Sequence, residues 1–227
     1  MSLESVIGFN NKSEKTPRRG VQLGNINVAD ESRGVQLALA GNTADESRGV
    51  QLALAGNTAG ESRGVQIGLV GNTAGESRGV QIGANNSVDK SSYGVQLGAI
   101  NSADESRGVQ IGFLGNITDE LRGVQLGLVN GADKSRGVQI GAIINRADKS
   151  SYGVQLGAIN VADESRGVQI GLVDIVAEEC SGLQIGAICY APNGNYVQLG
   201  LLTLRGGDRP WYARASPLIG FSKRKEK

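Results

Sequence analysis

Residues 33–40 read R-G-V-Q-L-A-L-A, and the core of this stretch, G-[V/L]-Q-[L/I], recurs along most of the 227-residue chain. The opening glycine of the motif occupies positions 20, 34, 49, 64, 79, 94, 108, 123, 137, 153, 167 and 182. A thirteenth copy begins at Tyr196, where the glycine is lost but Val197-Gln198-Leu199-Gly200 remains. Repeats this short and this regular are typical of stacked structural units rather than of one broad globular core.

The spacing between copies varies from 14 to 16 residues, and this variation locates the corners of each unit. Some copies carry one extra residue just before the Asn that follows the motif, and others carry one just before the next Gly. An inserted residue in a strand reverses the facing of every later side chain, so tolerated insertions belong in turns. We therefore expect two corners and two short straight segments in each repeat.

The alternation within each straight segment predicts which side chains face the core. Val35, Leu37 and Leu39 fall on one face and Gln36 on the other, and we expect the aliphatic face to point inward. In the second segment the inward candidate is an almost constant alanine, at positions 29, 44, 59, 74, 103, 132, 147, 162 and 177.

These features predict an all-β fold, a parallel β-solenoid (β-helix) of about 13 coils of 14–16 residues, with two short strands per coil and capped ends. The alternative is an antiparallel up-and-down meander or barrel with one strand per repeat. The parallel arrangement is favoured because it gives every copy the same environment and stacks identical residues, including the Gln of every copy. The Asn column, at positions 27, 42, 57, 72, 101, 116, 130, 145 and 160, suits the first corner, where Asn tolerates left-handed dihedrals.

The repeats divide the chain into three segments. Residues 1–19 are expected to form an N-terminal cap and its connection, residues 20–204 the solenoid, and residues 205–227 a C-terminal cap with a basic tail. Large aromatic residues where a repeat array ends are expected to cover the terminal coils. The candidates are Phe9, Trp211, Tyr212 and Phe221.

The composition offers little catalytic equipment. The chain has no His, and its two cysteines, Cys180 and Cys189, are neither spaced as a metal site nor placed to form a disulfide. We therefore expect no enzyme activity, no catalytic residues, no metal and no cofactor. Lys and Arg (23) nearly balance Asp and Glu (22) for a net charge of +1, so neither a nucleic acid nor a membrane is an expected partner.

Two sets of repeated residues are candidate interaction sites. The first is a flat outward face of glutamines: Gln36, Gln51, Gln66, Gln81, Gln96, Gln110, Gln125, Gln139, Gln155 and Gln169. The second is an edge that could face an anion: Arg33, Arg48, Arg63, Arg78, Arg107, Arg122, Arg136 and Arg166. An alternative for this edge is a solvated surface on which opposite charges relieve one another.

The unit G-[V/L]-Q-[L/I]-G-[L/A]-[V/I]-N resembles the short tandem repeats of a loosely defined group of surface-repeat proteins, over residues 20–204. The function of that group is obscure, and its surface members are exported. This chain shows no signal sequence after Met1, so we expect a cytoplasmic protein, or a surface one if a leader is processed.

Three functional hypotheses follow. The first is a non-enzymatic structural or protein-interaction scaffold that forms homo-oligomers through an edge, a cap or the flat Gln and Gly face. The second is a repeat surface that binds a polyanion or anionic lipid through the Arg edge and the basic termini. The third is a membrane-associated β-barrel.

Overall fold

A computed structural model describes residues 6–8, 10–13, 19–206 and 215–222. The protein is an all-β parallel β-solenoid of about 13 turns, as the repeats predict, and these described residues include no helix. The chain divides into two compact units, an N-terminal unit (Met1–Leu114) and a C-terminal unit (Gly115–Lys227).

Eleven strands lie within the N-terminal unit, and a twelfth crosses the boundary. They are β1 (Val6–Ile7), β2 (Asn10–Ser13), β3 (Val21–Ser32), β4 (Val35–Ser47), β5 (Val50–Ala53), β6 (Gly56–Ser62), β7 (Val65–Gly68), β8 (Gly71–Ser77), β9 (Val80–Ile82), β10 (Asn85–Ser92), β11 (Val95–Ser106) and β12 (Val109–Leu121). The C-terminal unit contains β13 (Val124–Ser135), β14 (Val138–Ser151), β15 (Val154–Ser165), β16 (Val168–Ile170), β17 (Val173–Cys180), β18 (Leu183–Ala191), β19 (Tyr196–Arg205) and β20 (Ala215–Ser222).

Strand pairing stacks like residues on like residues. Between β3 and β4, Gln22 pairs with Gln36 and Asn27 pairs with Asn42, in parallel orientation. The same register links β13 to β14 in the C-terminal unit, where Gln125 pairs with Gln139. The parallel direction confirms the solenoid and rules out the antiparallel meander for these strands.

The prediction of two short strands per coil holds for only some coils. The coil that starts at Val50 is divided into β5 and β6, with a bend at residues 54–55, whereas β4 runs through the same corner as one strand of 13 residues. Residue insertions coincide with breaks in pairing register, for example between Val88 and Ser91. The extra residues therefore lie where pairing is interrupted, as the insertion argument predicts.

The described part of the N-terminal segment is an incomplete leading coil. In parallel register, β1 and β2 pair with β3, and Asn11 lies opposite Asn27. At the other end, β20 is antiparallel to β19 and covers the last parallel strand. Of the predicted caps, Phe221 lies on β20 but its side chain is 69% exposed. Phe9, Trp211 and Tyr212 lie outside the described residues.

The facing of the first straight segment is the reverse of the prediction. Gln36 is 1% exposed and the other predicted face glutamines are 0% exposed, whereas Leu39 is 65% exposed. The interior of the coils is built mainly from Gln, Asn, Ala and Ser columns, and the aliphatic residues of the first straight segment point outward. The predicted inward alanines are correct except for Ala177, which is exposed because Val176 pairs with Ala162 and takes the buried position.

The glycine that opens each motif is required by the closeness of successive coils. A Cβ atom added to Gly64 would overlap the carbonyl oxygen of Gly49, and one added to Gly49 would overlap that of Gly34. The backbone dihedral φ at these glycines is not positive, so close approach is the reason for glycine. Gly131, by contrast, has open space around its missing Cβ.

Candidate interaction surface

The buried glutamines form a hydrogen-bonded ladder through the interior of each unit. In the N-terminal unit, Nε2 of Gln51 donates to Oε1 of Gln36 at 2.8 Å, and Gln66 donates to Gln51 at 2.9 Å. In the C-terminal unit, Gln139 donates to Gln125 and Gln155 donates to Gln139 in the same direction. Each donor therefore points toward the preceding coil, and amides at the coil spacing satisfy one another without water.

The asparagines form a second interior ladder that runs in the opposite direction. Nδ2 of Asn42 donates to Oδ1 of Asn57 at 2.9 Å, in the following coil. The same Nδ2 also donates to the backbone oxygen of Leu52 at 2.9 Å, so both amide hydrogens are used. Because the Asn and Gln ladders point in opposite directions, their amide dipoles oppose each other across the narrow core. The Asn residues are thus interior ladder residues and do not adopt the predicted left-handed conformation.

Burial of these ladders removes the glutamines from the list of exposed interaction residues. Gln36, Gln51, Gln66, Gln81, Gln96, Gln110, Gln125, Gln139, Gln155 and Gln169 are each 0–1% exposed. The predicted flat Gln face is therefore wrong, although the predicted stacking of the Gln of successive copies is correct. A core of polar side chains is stable here because the buried amides between the ends of each column are paired along it.

The Asn ladder of the C-terminal unit ends on a carboxyl group. Asn160 donates from Nδ2 to Oδ1 of Asp174 at 2.7 Å, and Asp174 is 0% exposed. Burial raises the pKa of the Asp174 carboxyl to about 6, while the hydrogen bond from Asn160 opposes that rise. Oδ2 of Asp174 has no hydrogen-bond partner among the residues that the structure describes. The next residue in the column is Cys189.

Both cysteines are free and fully buried, as predicted for unpaired thiols. Cys180 continues the Ser column opposite Ser165, and Cys189 continues the Asn column opposite Asp174. Burial raises the pKa of the Cys180 thiol to about 12 and that of the Cys189 thiol to about 11. These two thiols therefore have the character of inert core residues, since the thiolate is the reactive form.

The arginine column forms a charge-balanced edge. Arg48 and Arg63 each contact a glutamate two residues earlier, Glu46 and Glu61, with N–O distances of 2.8 Å. The same contact is made by Arg33, Arg78, Arg107 and Arg122. Arg166 lies over the ring of Tyr152, and Arg136 follows the buried Ser135 at the same motif position. The structure thus favours the solvated, charge-relieved alternative for most of this edge, and such exposed pairs contribute only ~0–1 kcal/mol each.

Aliphatic side chains cover an outer face of the N-terminal unit. Three leucines on successive coils project from it: Leu39 is 65% exposed, Leu54 is 55% exposed and Leu69 is 70% exposed. A neighbouring column contains Leu23, Leu37, Leu52, Ile67, Ile82 and Leu97, of which Leu52 and Leu97 are about 40% exposed. No sequence prediction identified this face as exposed, because the aliphatic residues were expected to fill the core.

A groove of about 790 Å³ lies along this face and is named here the leucine groove. Its walls are the two aliphatic columns just described, and its floor is formed by Gly24, Ala38, Ala53, Gly68, Gly83 and Gly98. Its lining includes no charged side chain. Glycine holds most of the floor because a Cβ added to Gly83 would approach the carbonyl oxygen of Gly68 to 2.5 Å and Nδ2 of Asn72 to 2.9 Å, whereas Ala38 and Ala53 occupy the same position in their coils. The Asn ladder thus lines the inside of the same corner whose outer surface forms the leucine groove.

The C-terminal unit also carries outward aliphatic side chains. Leu172, which holds the position equivalent to Leu39, is 64% exposed. Val129 and Ile143 are more than 40% exposed on its own coils. Outward aliphatic residues are therefore a property of the repeat.

Within residues 6–8, 10–13, 19–206 and 215–222, no three His, Cys, Asp or Glu side chains come together as a group that could hold a metal ion. The same residues contain no helix of the length and apolar character needed to cross a membrane.

No protein-family model matches the chain, and no curated protein or solved structure matches it significantly. The β-solenoid fold itself stands on the strand register, and the resemblance to surface-repeat proteins remains a prediction from the motif.

Proposed function

We propose that the protein is a non-enzymatic interaction scaffold that self-associates through its outward aliphatic surface. The observation that supports this proposal is the exposure of aliphatic columns on the outside of the solenoid, represented by Leu39, Leu54 and Leu69. Soluble monomers rarely expose contiguous apolar patches larger than a few hundred Å², and larger patches are typical of interaction sites.

The form of the last coil favours a face over an edge as the route of association. Strand β20 pairs with β19 in antiparallel orientation, so the hydrogen-bonding groups of β19 along that edge are engaged within the chain. Strand β20 also contains Pro217, which lacks an N–H donor, and Leu218, whose φ is 71°. Proline and local distortion are features that discourage further strand addition at an edge.

Sedimentation velocity of the full chain over a wide concentration range tests the proposal. Self-association predicts that the sedimentation coefficient rises with concentration and does not fall as salt is increased, because apolar contacts drive it. A chain that remains strictly monomeric at the highest concentration would contradict the proposal.

Binding of a polyanion or an anionic lipid through the Arg edge is the alternative function, and the same salt series discriminates between the two. Charge-driven binding to heparin or to anionic vesicles weakens steeply as salt rises. The pairing of Arg48 with Glu46 and of Arg63 with Glu61 makes strong binding less favourable, because each guanidinium already has a carboxylate partner.

A further inference from the structure

We infer that the leucine groove of the N-terminal unit is a homodimer interface, in which a second copy of this chain packs its own leucine groove face to face. This inference rests on the proposed self-association and assigns it to one surface. The periodicity, the charge distribution and the area of the groove favour a second copy as its occupant.

The spacing of the groove matches another copy of the same fold. Leu39, Leu54 and Leu69 lie on coils whose strands are hydrogen-bonded to one another, so they project at intervals of about 4.8 Å. A second copy presents leucines at the same interval. A row of side chains from one copy can therefore lie against the row of the other over several coils without losing register, as side chains do in dry interfaces between stacked sheets.

The charge distribution permits close contact of two such faces. The lining of the leucine groove has no charged side chain, whereas the Glu and Arg columns lie at another part of each coil, where they pair with each other. Bringing two copies together at the groove therefore desolvates leucine and isoleucine side chains and leaves the ion pairs in water. A twofold axis makes the contact isologous and closed, so that it forms a dimer and not a fibre.

The aliphatic columns of the groove supply part of the area that a dimer requires. With coils about 4.8 Å apart and alternate residues about 6.6 Å apart, each outward residue covers roughly 32 Å² of the face. The two columns contain nine leucine or isoleucine side chains, so they present on the order of 290 Å² before side-chain relief is counted. A standard interface buries about 800 Å² on each partner, and rows of leucine that project and interdigitate bury more surface than a flat face.

The double substitution Leu54→Glu and Leu69→Glu tests the assignment by sedimentation velocity on the full chain. Both side chains are more than half exposed, so the substitutions leave the interior ladders intact, and circular dichroism should be unchanged. Charges in a desolvated contact are costly, and we expect the dimer to weaken by at least about 100-fold. The matched control is Leu172→Glu. Leu172 is equally exposed and lies at the equivalent position of the C-terminal unit, so this substitution should change the dissociation constant of the dimer by less than about twofold.

A cross-linking measurement provides a second test that does not depend on how the glutamate variants fold. The two native cysteines are 0% exposed, so the background reaction with a short bis-maleimide is low. Leu54→Cys should give a covalent dimer in high yield. Thr58→Cys, in the following exposed segment of the same coil and outside the leucine groove, should give little.

The results of these experiments distinguish the assignment of the groove from the proposed self-association on which it rests. If the wild-type chain associates and the Leu54→Glu, Leu69→Glu variant associates equally well, the groove is not the interface, and self-association through another surface stands. If the wild-type chain is monomeric at all concentrations, both the interface and the proposed self-association are overturned. A monomeric chain that binds a fluorescent fatty-acid probe would replace the second copy by an acyl chain as occupant of the groove.

Discussion

Asn160 donates a hydrogen bond of 2.7 Å from Nδ2 to Oδ1 of Asp174, so the Asn ladder of the C-terminal unit ends on a buried carboxyl group. A neutral amide at the same place would accept this bond equally well and would supply two further N–H donors. The carboxyl group must instead lose its hydration when it ionises, and its pKa rises to about 6. This one position gives the interior a dependence on pH that the other ladder positions lack.

The free energy of unfolding should therefore fall as pH rises through the titration of Asp174. The folded-state pKa of about 6 is above the unfolded value of 3.8, so the folded protein binds the proton more tightly and is favoured at low pH. The stabilisation from this group is complete below about pH 4 and is lost by about pH 7, a difference of about 2–3 kcal/mol. Urea unfolding at pH 4 and pH 7.5 measures it.

Asp174→Asn should remove this pH dependence and raise stability at pH 7.5 by a similar amount, since the substituted amide continues the ladder. Asp45→Asn, at an exposed position, is the matched control and should leave the dependence unchanged. An Asp174→Asn protein with the wild-type pH profile would show that another group causes it.

A glutamine in the middle of the ladder should contribute more stability than one at its end. Gln66 accepts a hydrogen bond from Gln81 and donates one to Gln51, so Gln66→Leu leaves two buried amide groups without partners. Each unpaired group costs about 1–3 kcal/mol. Gln198 donates to Gln184, but its own Oε1 has no partner within the described part of the chain, so Gln198→Leu leaves only one group there unpaired.

Chemical denaturation of both variants gives the comparison directly. We expect Gln66→Leu to lower the free energy of unfolding by about 2–5 kcal/mol and Gln198→Leu by about half as much. Equal losses, or a gain at position 66, would indicate that the ladder does not stabilise the interior.

Glycine at the start of the motif should tolerate no side chain. Gly64→Ala places a Cβ atom against the carbonyl oxygen of Gly49, and backbone must move to relieve the overlap. We expect a loss of at least about 3 kcal/mol or failure to fold. Gly131→Ala is the control, because nothing lies within 4 Å of the added atom, and its stability should change by less than about 0.5 kcal/mol. Thermal unfolding of the two variants tests this prediction, and an equal loss of stability in both would contradict it.

The buried thiols should not react with thiol reagents in the native protein. Cys180 and Cys189 are 0% exposed, and burial raises their thiol pKa to about 12 and about 11. Ellman's reagent at pH 8 should detect almost no thiol in buffer and two per chain in denaturant. Rapid reaction of either cysteine in the folded protein would place it at the surface.

The repeat sequence is sufficient to predict the solenoid, the parallel direction and the stacking of identical residues, because a parallel stack gives every copy the same environment. Insertions such as that before Ser91 lie at breaks in regular pairing, as tolerated insertions must. It did not determine which side of the first strand faces inward. The alternation places Val35 and Gln36 on opposite faces of the strand but does not show which face is interior. The hydrophobicity of the side chains indicates the wrong face. In a coil this narrow, the interior accommodates columns of amides that pair at the coil spacing.

A signal for the correct orientation was present in the second segment. Ala44 was correctly predicted to face inward, and Asn42, two residues earlier on the same strand, has the same facing. The inward Asn column follows from that parity, and the exposed Leu39 lies just before the corner that leads to it. The exact exposure of the aliphatic columns and the leucine groove depended on the path of the corner, which residue spacing does not specify.

The interior position of the amide ladders is the reason that the aliphatic columns lie outside. Side-chain amide exchange, measured by NMR after transfer into D₂O, tests this position. The NH₂ resonances from the Gln and Asn ladders, including those of Gln66 and Asn57, should persist long after exposed amides have exchanged. Exchange of every Gln and Asn side chain at the rate of a free amide would contradict it.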